Sequence, residues 1–354
     1  MENTKLSVII LSAGMGTRMK SKLSKPLHKI GNLEMVNHVI QTSQHLQAQE
    51  TVVVVSVDNK EQIEQNIDKS RKTTNELYPK GIQEKTLQTI IEHLKENFKM
   101  ELLTLERLQV SSDGTRKYLF KLSDGHFIES VLMRHNYGNS ICVTSEVGCN
   151  MGCAFCASGE LGCVRRLTLE EMVLQVLTVQ KDLDKENSRI TNVVVMGIGE
   201  PFDNYEVLLK FLTVINYAKG LEIGARHITV STCGLIGGIK KLAEEGLPLT
   251  LALSLHAPND TIRKQLMPVA NSYSIEEVLE ACDYYYEKTS RRITYEYSLV
   301  KGVNDSVECA KELCTRLKGK NCHVNLIPVN PIKERDFEKS RNESIQNFKN
   351  ILEK

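Results

Sequence analysis

Three cysteines close together carry the strongest chemical signal in this sequence. Cys149, Cys153 and Cys156 lie in the string CNMGCAFC, which can wrap a small inorganic centre from one loop. Soft thiolate ligands select an iron–sulfur cluster or zinc. A structural zinc site usually takes four protein ligands from two paired knuckles, and the sequence shows no second knuckle. The spacing therefore predicts a 4Fe–4S cluster bound at three irons, with the fourth iron open to a substrate.

Polar and glycine-containing motifs follow several later segments that have the pattern of buried strands. The motifs are GIGEP, STCG, SLHA and NLIPVNP, and their candidate binding residues are Gly199, Glu200, Ser231, Ser254, His256 and Asn330. Glycines permit close backbone approach, while hydroxyl and imidazole groups suit a ribose or a carboxylate. Two alternatives stay open: Glu200 as a solvated carboxylate in a turn, and His256 as a filler of the core.

A regular alternation of strands and helices positions those motifs. Strands are expected at 140–144, 190–196, 227–231, 249–254, 293–299 and 323–327, and helices from Leu169, Tyr205, Ser274 and Ser306. A capping box formed by Thr168 and Glu171 marks the first of these helices. Six βα repeats predict an α/β fold, an open (β/α)6 partial TIM barrel, whose active site forms at the carboxyl ends of the strands.

The amino-terminal part has a different pattern. Ser7–Leu11 and Thr51–Ser56 are expected strands on either side of a helix at 34–46, which makes a Rossmann-like βαβ fragment. The glycine loop SAGMG after the first strand lets backbone N–H groups approach a phosphate, and Arg18 and Lys25 add positive charge. A short glycine motif alone is weak evidence for a nucleotide site.

A polar stretch rich in structure-breaking residues at 68–76 predicts a domain boundary. We expect three regions: the βαβ fragment at 1–70, a small α+β region at 71–138 with a helix over 87–98 and two hairpins, and the barrel at 139–354. The hairpin turns are predicted at Asp113-Gly114 and Asp124-Gly125.

The composition is that of an ordinary globular protein, with 354 residues, 41% hydrophobic, 25% charged and a net charge of +1. This charge argues against nucleic-acid binding by bulk electrostatics but allows a local basic surface. No apolar run approaches the roughly 20 residues that span a bilayer, and no signal peptide is evident, so we expect a cytoplasmic protein without a membrane partner. Ten cysteines in a reducing compartment favour metal ligation or chemistry. Three others, Cys282, Cys309 and Cys314, are interpreted as packing.

The cysteine spacing after the first strand of a βα array resembles that of the radical S-adenosylmethionine (SAM) superfamily. Over about residues 75–350, the strings IESVLMRHNYGNSICVTSEVGCNMGCAFCASG, GIGEPFDN, STCG, LSLHAPND, LMPV, GVND and NLIPVNP together resemble the RlmN family of dual-specificity RNA adenine methyltransferases. The resemblance implies a 4Fe–4S cluster on the three cysteines. It also implies SAM contacts at Gly199, Glu200, Ser231, Ser254, Leu255, His256 and Asn330.

The same resemblance implies a function and two catalytic residues. Glu129 matches the family's proton acceptor, although without the resemblance it would be an exposed strand carboxylate. Cys142 matches the thiol that resolves a protein–RNA adduct by forming a disulfide with a methyl-carrying cysteine. The implied reaction is methylation of carbon 2 of a specific adenine in 23S rRNA and tRNA. An electron donor such as flavodoxin or ferredoxin is expected, and the protein is expected to be a monomer.

The sequence departs from the RlmN pattern at both ends. Up to about Asp68, the string LSAGMGTRMKSKLSKPLHKIG resembles the amino end of sugar-phosphate nucleotidyltransferases, especially N-acetylglucosamine-1-phosphate uridylyltransferases, with Leu11 to Gly14 and Lys25 at nucleotide-contacting positions. The last cysteine, Cys322, does not match the methyl-carrying one. We therefore expect cluster assembly and SAM cleavage, with methyl transfer to RNA impaired. The alternatives are a non-catalytic SAM- or RNA-binding remnant and a nucleotidyltransferase fusion, which is disfavoured because that family's acidic metal-binding loop is missing.

Overall fold

The computed structural model divides the chain into two units, Met1–Glu101 and Leu102–Lys354. It describes residues 7–11, 27, 29–30, 33–45, 50–56, 60–66, 73–78, 102–160, 162–217, 220–331 and 335–353. Within these ranges, we find no helix with the length and apolar character that a membrane crossing requires.

β-branched residues build a three-stranded parallel sheet in the first unit. Its elements are β1 (Ser7–Leu11), β2 (Lys29–Ile30), β3 (Leu33–Glu34), α1 (Met35–His45), β4 (Glu50–Ser56), α2 (Lys60–Asn66) and β5 (Thr73–Tyr78). β4 lies between β1 and β5, and its Val53 packs with Ile10, Val36, Ile40 and Ile63 in an apolar core. The two strands and the helix expected for this segment are confirmed.

Strand β5 places the end of the first unit later than the sequence predicts. It pairs in parallel with β4, with Val53 opposite Asn75, so ladder hydrogen bonds hold it in the first sheet. The boundary predicted at residue 70 therefore falls within the first unit, which continues to Glu101. The glycine loop with Arg18 and Lys25, and the helix predicted at 87–98, lie outside the described residues.

A nine-stranded sheet forms the centre of the second unit. Its strands are β6 (Thr104–Val110), β7 (Arg116–Lys121), β8 (Phe127–His135), β9 (Gly138–Cys142), β12 (Ile190–Val195), β13 (Ile228–Thr232), β14 (Thr250–Ser254), β15 (Ile293–Leu299) and β16 (Cys322–Pro328); a separate ribbon contains β10 (Glu146–Gly148) and β11 (Cys163–Arg166). The helices are α3 (Leu169–Asp184), α4 (Tyr205–Asn216), α5 (Ile236–Glu244), α6 (Asp260–Leu266), α7 (Ile275–Thr289), α8 (Val307–Leu317) and α9 (Asn342–Leu352).

Six of the nine strands are parallel neighbours. They follow the order β9, β12, β13, β14, β15 and β16 across the sheet, and they match the six strands expected from the sequence. Helices connect them, and apolar side chains from strands and helices share one core. The predicted α/β architecture, an open (β/α)6 partial barrel, is therefore confirmed.

The two predicted hairpins extend this sheet and do not form a separate α+β region. β6, β7 and β8 are antiparallel, and β8 pairs directly with β9, with Val131 opposite Cys142. The hairpins join the barrel sheet because β8 hydrogen-bonds to β9 up to the short connection between residues 135 and 138. β9 therefore has a neighbouring strand on each side. The described part of region 71–138 after residue 101 thus belongs to the barrel sheet.

Side-chain caps fix where the barrel helices begin. Thr168 and Glu171 form the predicted capping box at α3, and Ser274 and Glu277 form a second one at α7. The hydroxyl of Ser306 accepts a hydrogen bond from the backbone of α8. These contacts satisfy backbone N–H groups that lack a partner in the first turn. The three helix starts expected at these positions are confirmed.

One buried glutamine attaches helix α3 to the strands that lead to the cysteine loop. Gln175 Oε1 accepts hydrogen bonds from Ser130 Oγ and from Thr144 N, each at 2.9 Å. Gln175 Nε2 donates to Thr144 O at 3.0 Å. Thr144 lies two residues after the end of β9, where its backbone groups are buried and need partners. The side chain of Gln175 therefore makes the hydrogen bonds to Thr144 that the backbone of a neighbouring strand would otherwise make.

We expect Gln175→Leu to lower the free energy of unfolding by about 3 kcal/mol, because it leaves buried backbone groups of Thr144 unpaired. Urea unfolding of the apoprotein measures this change. Gln109→Leu on the exposed strand β6 is the matched control and should change stability by less than about 0.5 kcal/mol. Equal effects of the two substitutions would contradict the assigned role.

Candidate functional site

The three predicted cluster cysteines line one cavity at the carboxyl ends of the parallel strands. This cavity has a volume of about 230 Å³, and Cys149, Cys153 and Cys156 share its wall with Ser231 and Ser254. The two serines belong to β13 and β14. Three elements distant in sequence thus converge where the barrel geometry predicts an active site.

Backbone contacts anchor the cysteine loop between β10 and β11. Cys149 N donates to Gly162 O at 3.1 Å, and Ala154 N donates to Leu266 O of α6 at 2.8 Å. Phe155 packs against the apolar group that contains Leu266. The loop is therefore held both by its own ribbon and by the helix after β14.

The donor set fits an iron–sulfur cluster. All three cysteines are free, and burial raises the pKa of Cys149 to about 11 and that of Cys153 to about 12. Binding of a metal centre deprotonates such thiols. Among the described residues, no group of three or more His, Cys, Asp or Glu side chains converges as a single metal ion requires. A cluster requires less convergence, because each thiolate binds a different iron.

Gly199 allows the loop after β12 to pass close to the start of β10. Its φ angle is +103°, and an added Cβ would lie 2.6 Å from Glu146 Cβ. Both features restrict this position to glycine. The close approach lets Glu200 N donate to Glu146 Oε2 at 3.0 Å. Gly199 therefore shapes the cavity wall through its backbone.

The carboxylate of Glu200 is buried and hydrogen-bonded, with 3% of the residue exposed. Oε1 accepts from Phe202 N at 3.2 Å, and Oε2 accepts from Cys233 N at 2.8 Å. Burial raises its pKa above the usual range. The alternative of a solvated turn is thus excluded. Glu200 lines the cavity and also ties the loop after β12 to the loop after β13.

His256 lies in the cavity wall as a neutral imidazole. Its Nδ1 accepts from Ser298 N at 2.9 Å, and burial lowers its pKa to about 3. The proton of a neutral ring that accepts at Nδ1 is on Nε2, which is then a donor. The ring also meets Phe155 edge to face, with centroids 4.7 Å apart. His256 therefore combines a core contact with a donor available to a ligand.

Two predicted SAM contacts have different surroundings. The side chain of Leu255 lies in the hydrophobic core, while its backbone N donates to Glu296 O at 3.0 Å. Asn330 follows β16, is exposed, and is not among the residues that line the cavity. The structure brings Gly199, Glu200, Ser231, Ser254 and His256 to the cavity wall together with the three cysteines.

Glu129 and Cys142 lie on neighbouring antiparallel strands and share one sheet face. Cys142 is opposite Val131, so Glu129 is its diagonal neighbour, about 7 Å away. Glu129 is bound by Lys117 Nζ at 2.9 Å and is 37% exposed. The backbone of Met196, which lines the cavity, lies close enough to Cys142 to oppose the rise in pKa that burial gives this thiol. The two predicted catalytic residues are therefore beside the cavity rather than in its wall.

The disulfide expected for Cys142 is absent. All ten cysteines are free, and each lies within the described residues. The cross-strand neighbours of Cys142 are Val131 and Val194, so no second thiol faces it in the sheet. Burial also raises its pKa to about 11, which disfavours the thiolate that disulfide exchange requires.

Two buried carboxyl groups of the site were not predicted from the sequence. Glu146 accepts from Glu200 N, and Glu296 on β15 accepts from Asn325 Nδ2 at 2.8 Å. Glu296 is the register partner of Ser254. The alternation in ITYEYSL signals that one face of β15 carries polar residues. No sequence signal marks Glu146 without knowledge of the loop that covers it.

Comparisons with known proteins agree with this geometry. The profile of the radical SAM superfamily matches residues 144–339. The probable dual-specificity RNA methyltransferase RlmN of Lachnoclostridium phytofermentans is 59% identical over 250 residues, which cover 71% of this chain and 69% of that protein. A protein of the same name from Clostridium novyi is 55% identical over 262 residues, covering 74% and 76%. The crystal structure of a radical SAM methyltransferase from Sphaerobacter thermophilus has a TM-score of 0.72 at 43% identity, covering 75% of this chain and 78% of that one.

The chain belongs to the RlmN family of the radical SAM superfamily. Members of this superfamily use a 4Fe–4S cluster and SAM, which fits the three free thiols around the cavity. A second profile, of the MobA-like NTP transferase domain, matches residues 8–98. That match includes strand β5 and agrees with a first unit that extends beyond residue 70.

Because the carboxyl of Glu296 is buried, we expect the free energy of unfolding of the protein to depend on pH. Burial raises its pKa above the ordinary 4.5, so above that pH the folded state keeps a proton that the unfolded state releases. Its contribution to stability therefore falls as the pH rises from about 4.5. We expect Glu296→Gln to remove this loss, so that the free energy of unfolding of the variant gains on that of the wild type as the pH rises above about 4.5.

Urea unfolding of both apoproteins at several pH values measures that difference. Asn347→Gln, at an exposed position in α9 without a titratable group, is the control and should give a difference that does not vary with pH. If the difference in free energy of unfolding between Glu296→Gln and the wild type did not change with pH, the raised pKa of Glu296 would be refuted.

Proposed function

We propose that this protein is a SAM-dependent RNA methyltransferase that acts on carbon 2 of adenine. The observation that carries the proposal is the convergence of three free cysteines with Glu200, Ser231, Ser254 and His256 around one cavity. The 52–59% identity to proteins named RlmN supports the RNA substrate. The bound cluster and SAM supply the radical chemistry, while the protein orients and shields the reacting groups.

Each site residue has a distinct role in this proposal. Cys149, Cys153 and Cys156 hold the cluster. The wall residues bind SAM: Nε2 of His256 donates, and the hydroxyl groups of Ser231 and Ser254 donate or accept. Leu255 contributes only backbone contacts, and Asn330 is proposed to reach the ligand from the end of β16.

Glu129 is proposed as the proton acceptor and Cys142 as the resolving thiol. Their shared sheet face next to Met196 of the cavity wall supports both roles. Lys117 Nζ holds the Glu129 carboxylate on this face at 2.9 Å.

The partners are proposed on the same basis. The target adenine has to leave its stack to enter a cavity, so unpaired loops of 23S rRNA and of tRNA are suitable substrates. A one-electron donor such as flavodoxin or ferredoxin is required to reduce the cluster. We further propose that the protein acts as a monomer in the cytoplasm, where these RNAs are found. For the first unit we propose an origin in a sugar-phosphate uridylyltransferase.

Anaerobic reconstitution with iron and sulfide tests the proposal. We expect about four irons per chain and SAM-dependent formation of 5′-deoxyadenosine. Cys153→Ala should reduce both by about 100-fold or more, because one corner of the cluster loses its ligand. Cys314→Ala is the matched control, since this thiol lies on α8 and donates to Ile351 O, away from the cavity. Wild-type protein that binds no iron would overturn the proposed function.

Mass spectrometry of the RNA in the same reaction measures 2-methyladenosine. We expect this product to form only when the reconstituted cluster and SAM are both present, because the radical chemistry requires both. Formation of 5′-deoxyadenosine without 2-methyladenosine in either RNA would contradict the adenine methyltransferase function while leaving SAM cleavage in place.

A further inference from the structure

Arg263 is a fully buried arginine without an ion-pair partner. It lies in α6 with 0% of its surface exposed, and its Nη1 has no hydrogen-bond partner. Within the described residues, no carboxylate forms a salt bridge with it. Asp260 is one turn away, but its Oδ1 accepts from Ile275 N. A buried positive charge is costly unless other groups compensate it.

The remaining guanidinium nitrogens bind backbone carbonyls that follow two neighbouring strands. Nη2 donates to Cys233 O at 2.7 Å and to Ser254 O at 3.5 Å, and Nε donates to Leu255 O at 3.3 Å. Cys233 follows β13, whereas the other two carbonyls are at the end of β14. Arg263 therefore fixes the spacing of the two strand ends that bring Ser231, Ser254 and His256 to the cavity.

Helix α6 is also attached to the cysteine loop. Leu266, three residues after Arg263, accepts a hydrogen bond from Ala154, which is between two cluster cysteines. Cys233 and Leu266 share one apolar group with Cys153. Burial lowers the pKa of Arg263, and the thiol of Cys233, the carboxyl of Asp260 and the thiol of Cys153 oppose that change. The guanidinium thus lies against Cys233, within the apolar group that Cys153 also contacts.

We propose that Arg263 is a positioning residue that clamps the ends of β13 and β14 and supplies the positive charge that offsets the negative charge of the thiolate-bound cluster. The proposal rests on the proposed function insofar as the cluster must bind. Reduction adds one negative charge to the cluster, so a nearby buried cation raises its reduction potential. The charge and the clamp are separate properties that different substitutions can distinguish.

The test compares Arg263→Lys, Arg263→Met and Arg263→Gln with Lys264→Met. Lysine keeps the charge but has only one nitrogen, whereas methionine and glutamine remove the charge. Lys264 is the next residue in the same helix and is exposed, so its replacement makes the same charge change in solvent. Redox titration followed by electron paramagnetic resonance gives the cluster potential. Hydrogen exchange of the apoprotein over residues 231–235 and 254–258 reports the clamp.

We expect Arg263→Met and Arg263→Gln to shift the potential to more negative values, while Arg263→Lys and Lys264→Met stay near wild type. All three Arg263 variants should show faster exchange at both strand ends and about tenfold weaker SAM binding. A wild-type potential in the neutral variants would overturn the charge assignment, and wild-type exchange in Arg263→Lys would overturn the clamp. Should methionine prevent folding, glutamine provides the neutral comparison.

The same measurements separate a failure of the proposed function from a failure of the role proposed for Arg263. Wild-type protein without iron would overturn that function, yet exchange in the apoprotein would still decide whether Arg263 acts as a clamp.

Discussion

Buried hydrogen bonds between the loops that follow neighbouring parallel strands hold this site together. Glu146, after β9, accepts from Glu200 N after β12, and Glu200 in turn accepts from Cys233 N after β13. Asn304 Nδ2 donates to His256 O and to Ser298 O, which joins the ends of β14 and β15. A buried carboxylate or carbonyl that loses its donor costs free energy, so each loop depends on its neighbour for its conformation. The cavity wall is thus one connected unit.

Each barrel strand has one face that packs in the apolar core and an opposite face that can carry polar groups for binding. On β15, Tyr295 and Tyr297 point into the apolar core shared with the helices, whereas Glu296 and Ser298 alternate with them on the other face. Because successive side chains of a strand point to opposite faces, a polar residue on the inner face does not disturb the core. The inner face can therefore present carboxyl, hydroxyl and amide groups without loss of stability in the outer layer. Glu129 and Cys142 extend this polar face onto the antiparallel strands.

Sequence patterns predicted the parts of this protein that depend on local residues. The three cysteines, the six parallel strands and the cap at Thr168 each follow from spacing or from a short motif. Contacts between residues distant in the chain were not predictable in this way. Gln175 and Glu146 acquire their roles from backbone groups more than 30 residues away, and Arg263 binds Cys233 O from 30 residues away; no local pattern marks these residues. The early boundary at residue 70 failed for the same reason, since only pairing with β4 shows that β5 belongs to the first sheet.

Electrostatics sets a condition that any bound cluster in this cavity must satisfy. Cys149 and Cys153 are protonated at neutral pH, because burial raises the pKa of each, and the nearby Glu200 carboxylate raises it further. Metal binding has to expel those protons, and it replaces neutral thiols with thiolates beside the buried carboxyls of Glu146 and Glu200. Like charges in a poorly solvated site repel one another strongly. That repulsion is relieved when a carboxyl takes up a proton or when a cation lies nearby. Burial raises the pKa of Glu146 and of Glu200, so both carboxyls hold their protons more tightly than they would in water. The charge balance of the cavity therefore depends on its carboxyl groups as much as on its cysteines.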